Sequence, residues 1–208
     1  MANVVLASAS ARRRLWLSKK LYGHEVRLEF IELDEEEPSP IYGKEVRRQV
    51  EESCLYKAMA ASRVGFPSCD SQRIVIVSDT LVQDPDDELC ALGKPADEIS
   101  ATSMLIRLSG RRHVVWSSTA LMEIGRGDVA LEEGWRTTLW TDFSIVEFEE
   151  LKEEWLEKMI REESWLGKAG GYDLAGIAEE VTRVVEGEEV TVLGFSNRSM
   201  DELALRIF

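Results

Sequence analysis

Short apolar runs alternate with amphipathic stretches along this chain. Residues 4–7 (VVLA) are continuously apolar and pass through small residues into a segment, 11–21, that carries Leu15, Leu17 and Leu21. A buried strand therefore runs through a turn into a helix. Val26, Leu28 and Phe30 alternate as a second strand, which ends in LDEEEPSP, where Pro38 and Pro40 stop regular structure. A long helix is predicted over 43–64. Ile74, Val75, Ile76 and Val77 form a β-branched run of the kind buried on both faces of a sheet, and it finishes at Ser78-Asp79-Thr80. After a turn rich in Asp and Pro, and Gly93-Lys94-Pro95, residues 97–108 put Ala101, Met104, Leu105 and Leu108 on one face of a helix that Gly110 closes. β-Branched and aromatic residues dominate 114–122 and 135–148, which suits two long antiparallel strands. Leu151, Trp155, Leu156, Met159 and Ile160 space another helix. The glycine-rich KAGGYDLAG follows, then a strand near 181–185, a turn at Glu186-Gly187 and a closing helix from Met200. Crossover helices combined with long β-ribbons predict an α/β fold with a mixed sheet.

Composition narrows this picture. The chain has 208 residues, 44% of them hydrophobic and 31% charged, and no repeat or linker divides it, so residues 1–208 read as a single domain. No apolar stretch approaches the roughly 20 residues of a membrane helix, and no secretory signal is evident, which points to a cytoplasmic protein with no membrane partner. Cys54, Cys69 and Cys90 lack C-x-x-C spacing and suggest neither a disulfide framework nor a zinc site. A net charge of −14 argues against binding a nucleic-acid polymer. That charge is uneven: residues 1–120 hold 16 basic and 18 acidic side chains, the remainder 9 and 21. An anion site belongs in the first part, where local cations can outweigh the overall field.

The stretch SASARRR, 8–14, stands where that first strand turns into a helix. A helix N-terminus offers unpaired N–H groups, small residues allow close approach, and arginine binds phosphate oxygens bidentately. A serine N-cap followed by solvent-facing arginines explains the same residues. Lys57 falls in the stripe Val50, Cys54, Lys57, Ala61, Val64 of the long helix. Either an anion meets it there or its stem snorkels to water. Asp79, at the end of an apolar strand, is placed where open α/β sheets gather ligands and suits metal binding or water activation; an Asp also caps a following turn. Asp34 and Glu35 precede a proline break, and Lys94 sits in a turn. A Ser/His/Asp triad is poorly supported, since His24 and His113 are the only histidines and no G-x-S-x-G occurs; HExxH and GxxxxGK[ST] are absent too.

Taken in order, LASASARRR, LDEEEP, a helical Lys57, SDTLV, GKP, LSGRRHVV and KAGGYDLAG resemble the Maf family of nucleoside triphosphate pyrophosphatases, from about residue 4 to about residue 195. The resemblance implies a Maf/ITPase-like fold, with a mixed central β-sheet flanked by helices and two lobes around a substrate cleft, often as a homodimer. It implies cleavage of dTTP, UTP or modified nucleotides to a monophosphate and pyrophosphate with Mg²⁺ or Mn²⁺, in nucleotide-pool sanitation. A nucleotide-binding regulator of cell division and septum formation, without turnover, is the alternative the family offers. By position, Asp79 matches the family's proton acceptor and, with Glu35, its metal site. Ser8, Arg12, Arg13, Lys57 and Lys94 match phosphate and nucleotide contacts, and Arg12 and Thr80 fall where the family tunes substrate choice. Tyr172 persists as a residue that stacks on the base or shapes the pocket. Two departures stand out: Ala11 replaces the usual proline, and Ala175 replaces the glutamine usual in members favouring dTTP and UTP, so it brings no hydrogen bond to a base edge.

Overall fold

The computed structural model describes residues 2–34, 38–66 and 73–208. In chain order the elements are β1 (Ala2–Ala7), α1 (Ala11–Leu21), β2 (Val26–Ile31), α2 (Val46–Ser62), β3 (Arg73–Gln83), β4 (Ala91–Leu92), α3 (Glu98–Leu108), β5 (Arg112–Ile124), β6 (Val129–Ala130), β7 (Trp135–Phe148), α4 (Glu153–Arg161), β8 (Thr182–Glu186), α5 (Glu189–Leu193) and α6 (Asn197–Ile207). Two 3₁₀ turns, Ala169–Gly171 and Ile177–Val181, lie between α4 and β8.

The strands make one eight-stranded mixed sheet in the order β2-β1-β3-β5-β7-β6, with β4 added to β3 and β8 to β7. β1 pairs in parallel with β2 and with β3, each connection carrying a helix, and the remaining pairings are antiparallel. The two long ribbons expected at 114–122 and 135–148 are β5 and β7, paired antiparallel from Arg112↔Glu147 to Ile124↔Trp135.

β3 positions the site. One edge pairs with β5 from Val75↔Met122 to Val82↔Val115. On the other edge β1 accompanies it only up to Leu6↔Ile76, and β4 joins at Val82 and Gln83. Among the described residues, none pairs as a strand with 77–81 on that side. Asp79 lies inside an 11-residue strand, not at its end as the apolar run 74–77 suggests; what ends there is the parallel partner.

Alternation along β3 sorts the two helical layers. Val75 and Val77, with Val5, Ala120 and Met122, pack under Cys54, Ala58 and Ala61 of α2. Ile74 and Ile76, with Val4, Leu6 and Leu121, meet Leu17 and Leu21 of α1 and Met200 and Leu203 of α6. Farther along that second face Val82, Val115, Val146 and Phe148 pack with Leu105 and Leu108 of α3 and Met159 of α4. Asp97 caps α3 by accepting from Ser100 N–H at 2.7 Å. The closing helix begins at Asn197 rather than Met200, because the Ser196 hydroxyl accepts from Ser199 N–H and starts it a turn earlier. The five-residue α5 escapes a sequence reading because its valines and threonine favour strand. Among the described residues no helix is long and apolar enough to cross a membrane.

Candidate active site

A cavity of about 480 Å³ opens over the unpaired stretch of β3. It is lined by the turn 8–13, by Lys57 of α2, by β3, by Lys94, and by the strap 166–173. Ser8, Arg12, Arg13, Lys57, Asp79, Thr80, Lys94 and Tyr172 all meet there. Ala175 is exposed and does not line the cavity. Glu35 lies outside the described residues.

Lys57 Nζ lies 2.5 Å from Asp79 Oδ1, and each side chain is 11% exposed. The lysine in the apolar stripe therefore meets a carboxylate of the protein itself, from the odd-numbered face of β3 that α2 covers. One helical turn earlier, the Cys54 thiol donates to the Val77 carbonyl at 3.7 Å. Burial, with the nearby Asp79 charge, pushes that thiol up to about 12, so Cys54 is a packed thiol and no nucleophile.

The arginine triplet divides its tasks. Ser10 caps α1 by accepting from Arg13 N–H at 3.5 Å, and the Ser8 hydroxyl accepts from Ser10 N–H at 3.2 Å. Arg13 is buried, and its guanidinium donates to Ser78 O at 2.9 Å, Gly194 O at 2.9 Å and Thr80 Oγ1 at 2.8 Å. These bonds clamp the unpaired stretch of β3 to the end of α5. Thr80 continues the network to Ser117 Oγ at 2.8 Å, and Ser117 donates to Thr191 O at 2.7 Å. Arg14 donates to Ser8 O and to Glu32, both at 2.8 Å, and so steadies the turn from outside. Arg12 is the member that reaches across the cavity, 3.3 Å from Asp173 Oδ1.

Gly194 shows how closely the Arg13 clamp is fitted. Its φ is +115°, and a Cβ there would lie 2.5 Å from Arg13 Nε. Gly194→Ala is expected to cost about 2–3 kcal/mol, from left-handed strain plus displacement of a buried guanidinium. Urea titration of the two proteins measures it; an unchanged midpoint would show that the clamp is slack.

The strap is held by a second glycine. Gly170 has φ +71°, and a Cβ there would come within 2.9 Å of Val82 Cγ2. Its N–H donates to Gly93 O at 3.0 Å, which ties the loop carrying Lys94 to the strap carrying Tyr172. The Tyr172 hydroxyl lies 2.8 Å from His113 Nε2, and its ring stands edge-on to Phe148 with centroids 5.0 Å apart. Burial lowers the His113 imidazole to about 3 and raises the Tyr172 phenol, so both are neutral near pH 7. Tyr172 is thereby a fixed wall beside Val82 and Val115. Lys168 adds a further cation, 3.7 Å from Asp173 Oδ2; burial, opposed by Asp173 and joined by repulsion from Arg12, lowers its ammonium from the ordinary value.

Sequence reasoning did not single out Lys168, Asp173 or a role for His113. The signal was their place in motifs that it did pick out, KAGGYD and SGRRH, where only tertiary placement distinguishes a lining side chain from a turn residue. Among the described residues, five cationic side chains (Arg12, Arg13, Lys57, Lys94, Lys168) and two carboxylates (Asp79, Asp173) line the cavity of a chain whose net charge is −14. Fold and site define an α/β protein whose cavity gathers cations around a fixed carboxylate.

The chain belongs to the Maf family: the family described as Maf-like protein matches residues 3–206. It is 33% identical over 207 residues to a dTTP/UTP pyrophosphatase of Nitratidesulfovibrio vulgaris, covering 98% of this chain and 87% of that protein. It is 35% identical over 191 residues to a dTTP/UTP pyrophosphatase of Novosphingobium aromaticivorans, covering 92% and 85%. A solved HAM1 protein from Coxiella burnetii matches at a TM-score of 0.46 and 18% identity, over 71% of this chain and 73% of that one.

Proposed function

We propose that this protein is a nucleoside triphosphate pyrophosphatase that cuts dTTP, UTP or a modified relative between the α and β phosphates. The observation that carries the reading is the gathering of five cations from distant segments around Asp79 in an otherwise acidic chain. Arg12, Lys94 and Lys168 neutralise phosphate charge along the cavity, while Arg13 keeps β3 and Thr80 in place behind them. Lys57 engages Asp79 at Oδ1, and Asp79 accepts through Oδ2 the proton of the water that attacks phosphorus. Pyrophosphate leaves with the electrons of the broken P–O bond. The free thiols of Cys54 and Cys90 accord with a reducing, cytoplasmic setting.

The donor set fits a divalent cation shared with the substrate rather than caged by the protein. Among the described residues no group of three or more His, Cys, Asp or Glu could hold an ion. Mg²⁺ and similar hard cations are commonly held by one or two carboxylates together with phosphate oxygens. Asp79 would supply one carboxylate, and Glu35 is proposed as the other. The bound ion supplies charge neutralisation at the phosphate oxygens.

The Ala175 side chain has no group to hydrogen-bond a base and lies outside the cavity, so the wall of Val82, Val115, Leu166 and Tyr172 is left to sort bases by shape. Discrimination between thymine and uracil, which differ by one methyl, is then expected to stay within about 10–200-fold. Purified protein incubated with a panel of nucleoside triphosphates, with and without Mg²⁺ or Mn²⁺, tests the proposal. Equimolar monophosphate and pyrophosphate are expected. Orthophosphate with a diphosphate would place the cut elsewhere, and binding without products would leave a nucleotide-responsive regulator.

A further inference from the structure

One residue of the cavity wall, Asp173, has no part in the reaction proposed above. Arg12 and Lys168 approach the same carboxylate: Arg12 Nη1 lies 3.3 Å from Asp173 Oδ1, and Lys168 Nζ lies 3.7 Å from Oδ2. All three residues line the cavity, with side chains 20%, 20% and 17% exposed. Both contacts are loose. Charge-assisted hydrogen bonds close to about 2.7–2.9 Å, as the three bonds of Arg13 do at 2.9, 2.9 and 2.8 Å. Arg12 spends one of its guanidinium donors on this contact, and spends it at long range. Asp173, by contrast, is fixed from its own side, since Oδ1 accepts from Ala175 N–H at 3.2 Å in the turn that follows. A stationary carboxylate thus faces two lightly held cations on long, flexible stems.

We propose that Asp173 is a built-in counter-ion standing in for a phosphate group, from which an entering polyphosphate must draw Arg12 and Lys168 away. The proposal rests on the function given above and adds a residue that sets how tightly its anions are held. Arg12 and Lys168 cannot engage Asp173 and a phosphate at full strength together, and a carboxylate a few ångströms from a phosphate repels it. Binding is weakened accordingly. After cleavage the same carboxylate competes for the two cations, which eases departure of pyrophosphate, the more highly charged product. Without such a competitor, Arg12, Lys94 and Lys168 together would favour product trapping. Asp173 acts on affinity and release rather than on bond cleavage.

Asp173→Asn tests this directly, because it removes the charge and keeps an oxygen to accept from the Ala175 amide. Calorimetric titration with inorganic triphosphate and with pyrophosphate is expected to give dissociation constants about threefold to tenfold lower for the variant than for the parent. The nucleotide KM and the pyrophosphate inhibition constant should fall in step. Lys168→Met, which takes away one of the contested cations, should shift both constants about threefold or more in the opposite direction. Unchanged or weaker binding by Asp173→Asn would overturn the proposal, weaker binding meaning that the carboxylate orients Arg12 for the ligand instead. If neither parent nor variant bound either anion, the proposed function would fail and this inference with it. Equal binding by both would remove the role of Asp173 alone.

Discussion

Asp79→Asn is expected to lower pyrophosphate release by about a thousandfold, the scale of losing a positioned proton acceptor. The same substitution disturbs the fold, and the structure says how much of the loss to assign to that. Lys57 and Asp79 are a nearly buried pair at 2.5 Å. Removing one member of a fully buried pair costs roughly 3–5 kcal/mol, because the remaining charge is stranded. Asparagine keeps an acceptor for the ammonium, so a cost of about 1–3 kcal/mol is expected instead. Adding Lys57→Met removes the ammonium that would face the neutral amide and should return part of that stability, while activity stays lost. Stability would then recover without any recovery of turnover, which a folding defect alone cannot produce. Retention of more than about a tenth of the parent activity by a folded Asp79→Asn protein would remove Asp79 as the proton acceptor.

What the chain discloses by itself is mostly local. Ala11 begins a helix although the family's proline is missing, because Ser10 supplies the cap, and the expected limits 11–21 are those of α1. The lysine inside an apolar stripe is also legible, since a misplaced charge demands a partner; the identity of that partner is not. The arginine triplet marks the limit. Which of three adjacent arginines turns inward depends on carbonyl groups 65 and 181 residues away, at Ser78 and Gly194, and no local period encodes that. Asp79 lies within its strand, not at the end that the apolar run suggests, for a related reason. Its strand continues past the apolar run because hydroxyls take over from methyls: Ser78 and Thr80 are satisfied by Gly194 O and Ser117 rather than by water. Polar side chains read as a strand end when their partners come from another part of the sheet.

A similar hidden pairing makes the protein acid-sensitive in a window that its carboxylates do not control. His113 is buried, bonds Tyr172 through Nε2, and has no hydrogen-bond partner at Nδ1 among the described residues. Its folded-state value of about 3 is depressed from an ordinary 6.5, so between these values the unfolded chain binds a proton that the folded one refuses. Stability should be at full strength above about pH 6.5 and fall by about 1.4 kcal/mol per unit below it, reaching about 2 kcal/mol of loss by pH 5. Glu132, held low by the Arg63 guanidinium, and Glu147, held low by Arg112 and Arg183, lose their contributions only below about pH 5, as pH falls through the ordinary value of 4.5 at which their unfolded counterparts are half protonated. The interval from pH 7 to 5 therefore reports mainly on His113. Urea midpoints taken across it should drop for the parent and stay nearly level for His113→Gln, whose amide remains neutral throughout and can still meet the Tyr172 hydroxyl. The variant begins from a lower stability, since it fills the site less completely, so the slope rather than the absolute midpoint is the diagnostic quantity. A level parent profile would mean that the imidazole gains solvent or a partner on protonation, and Tyr172 would then lose the rigid support that makes it a wall of the cavity.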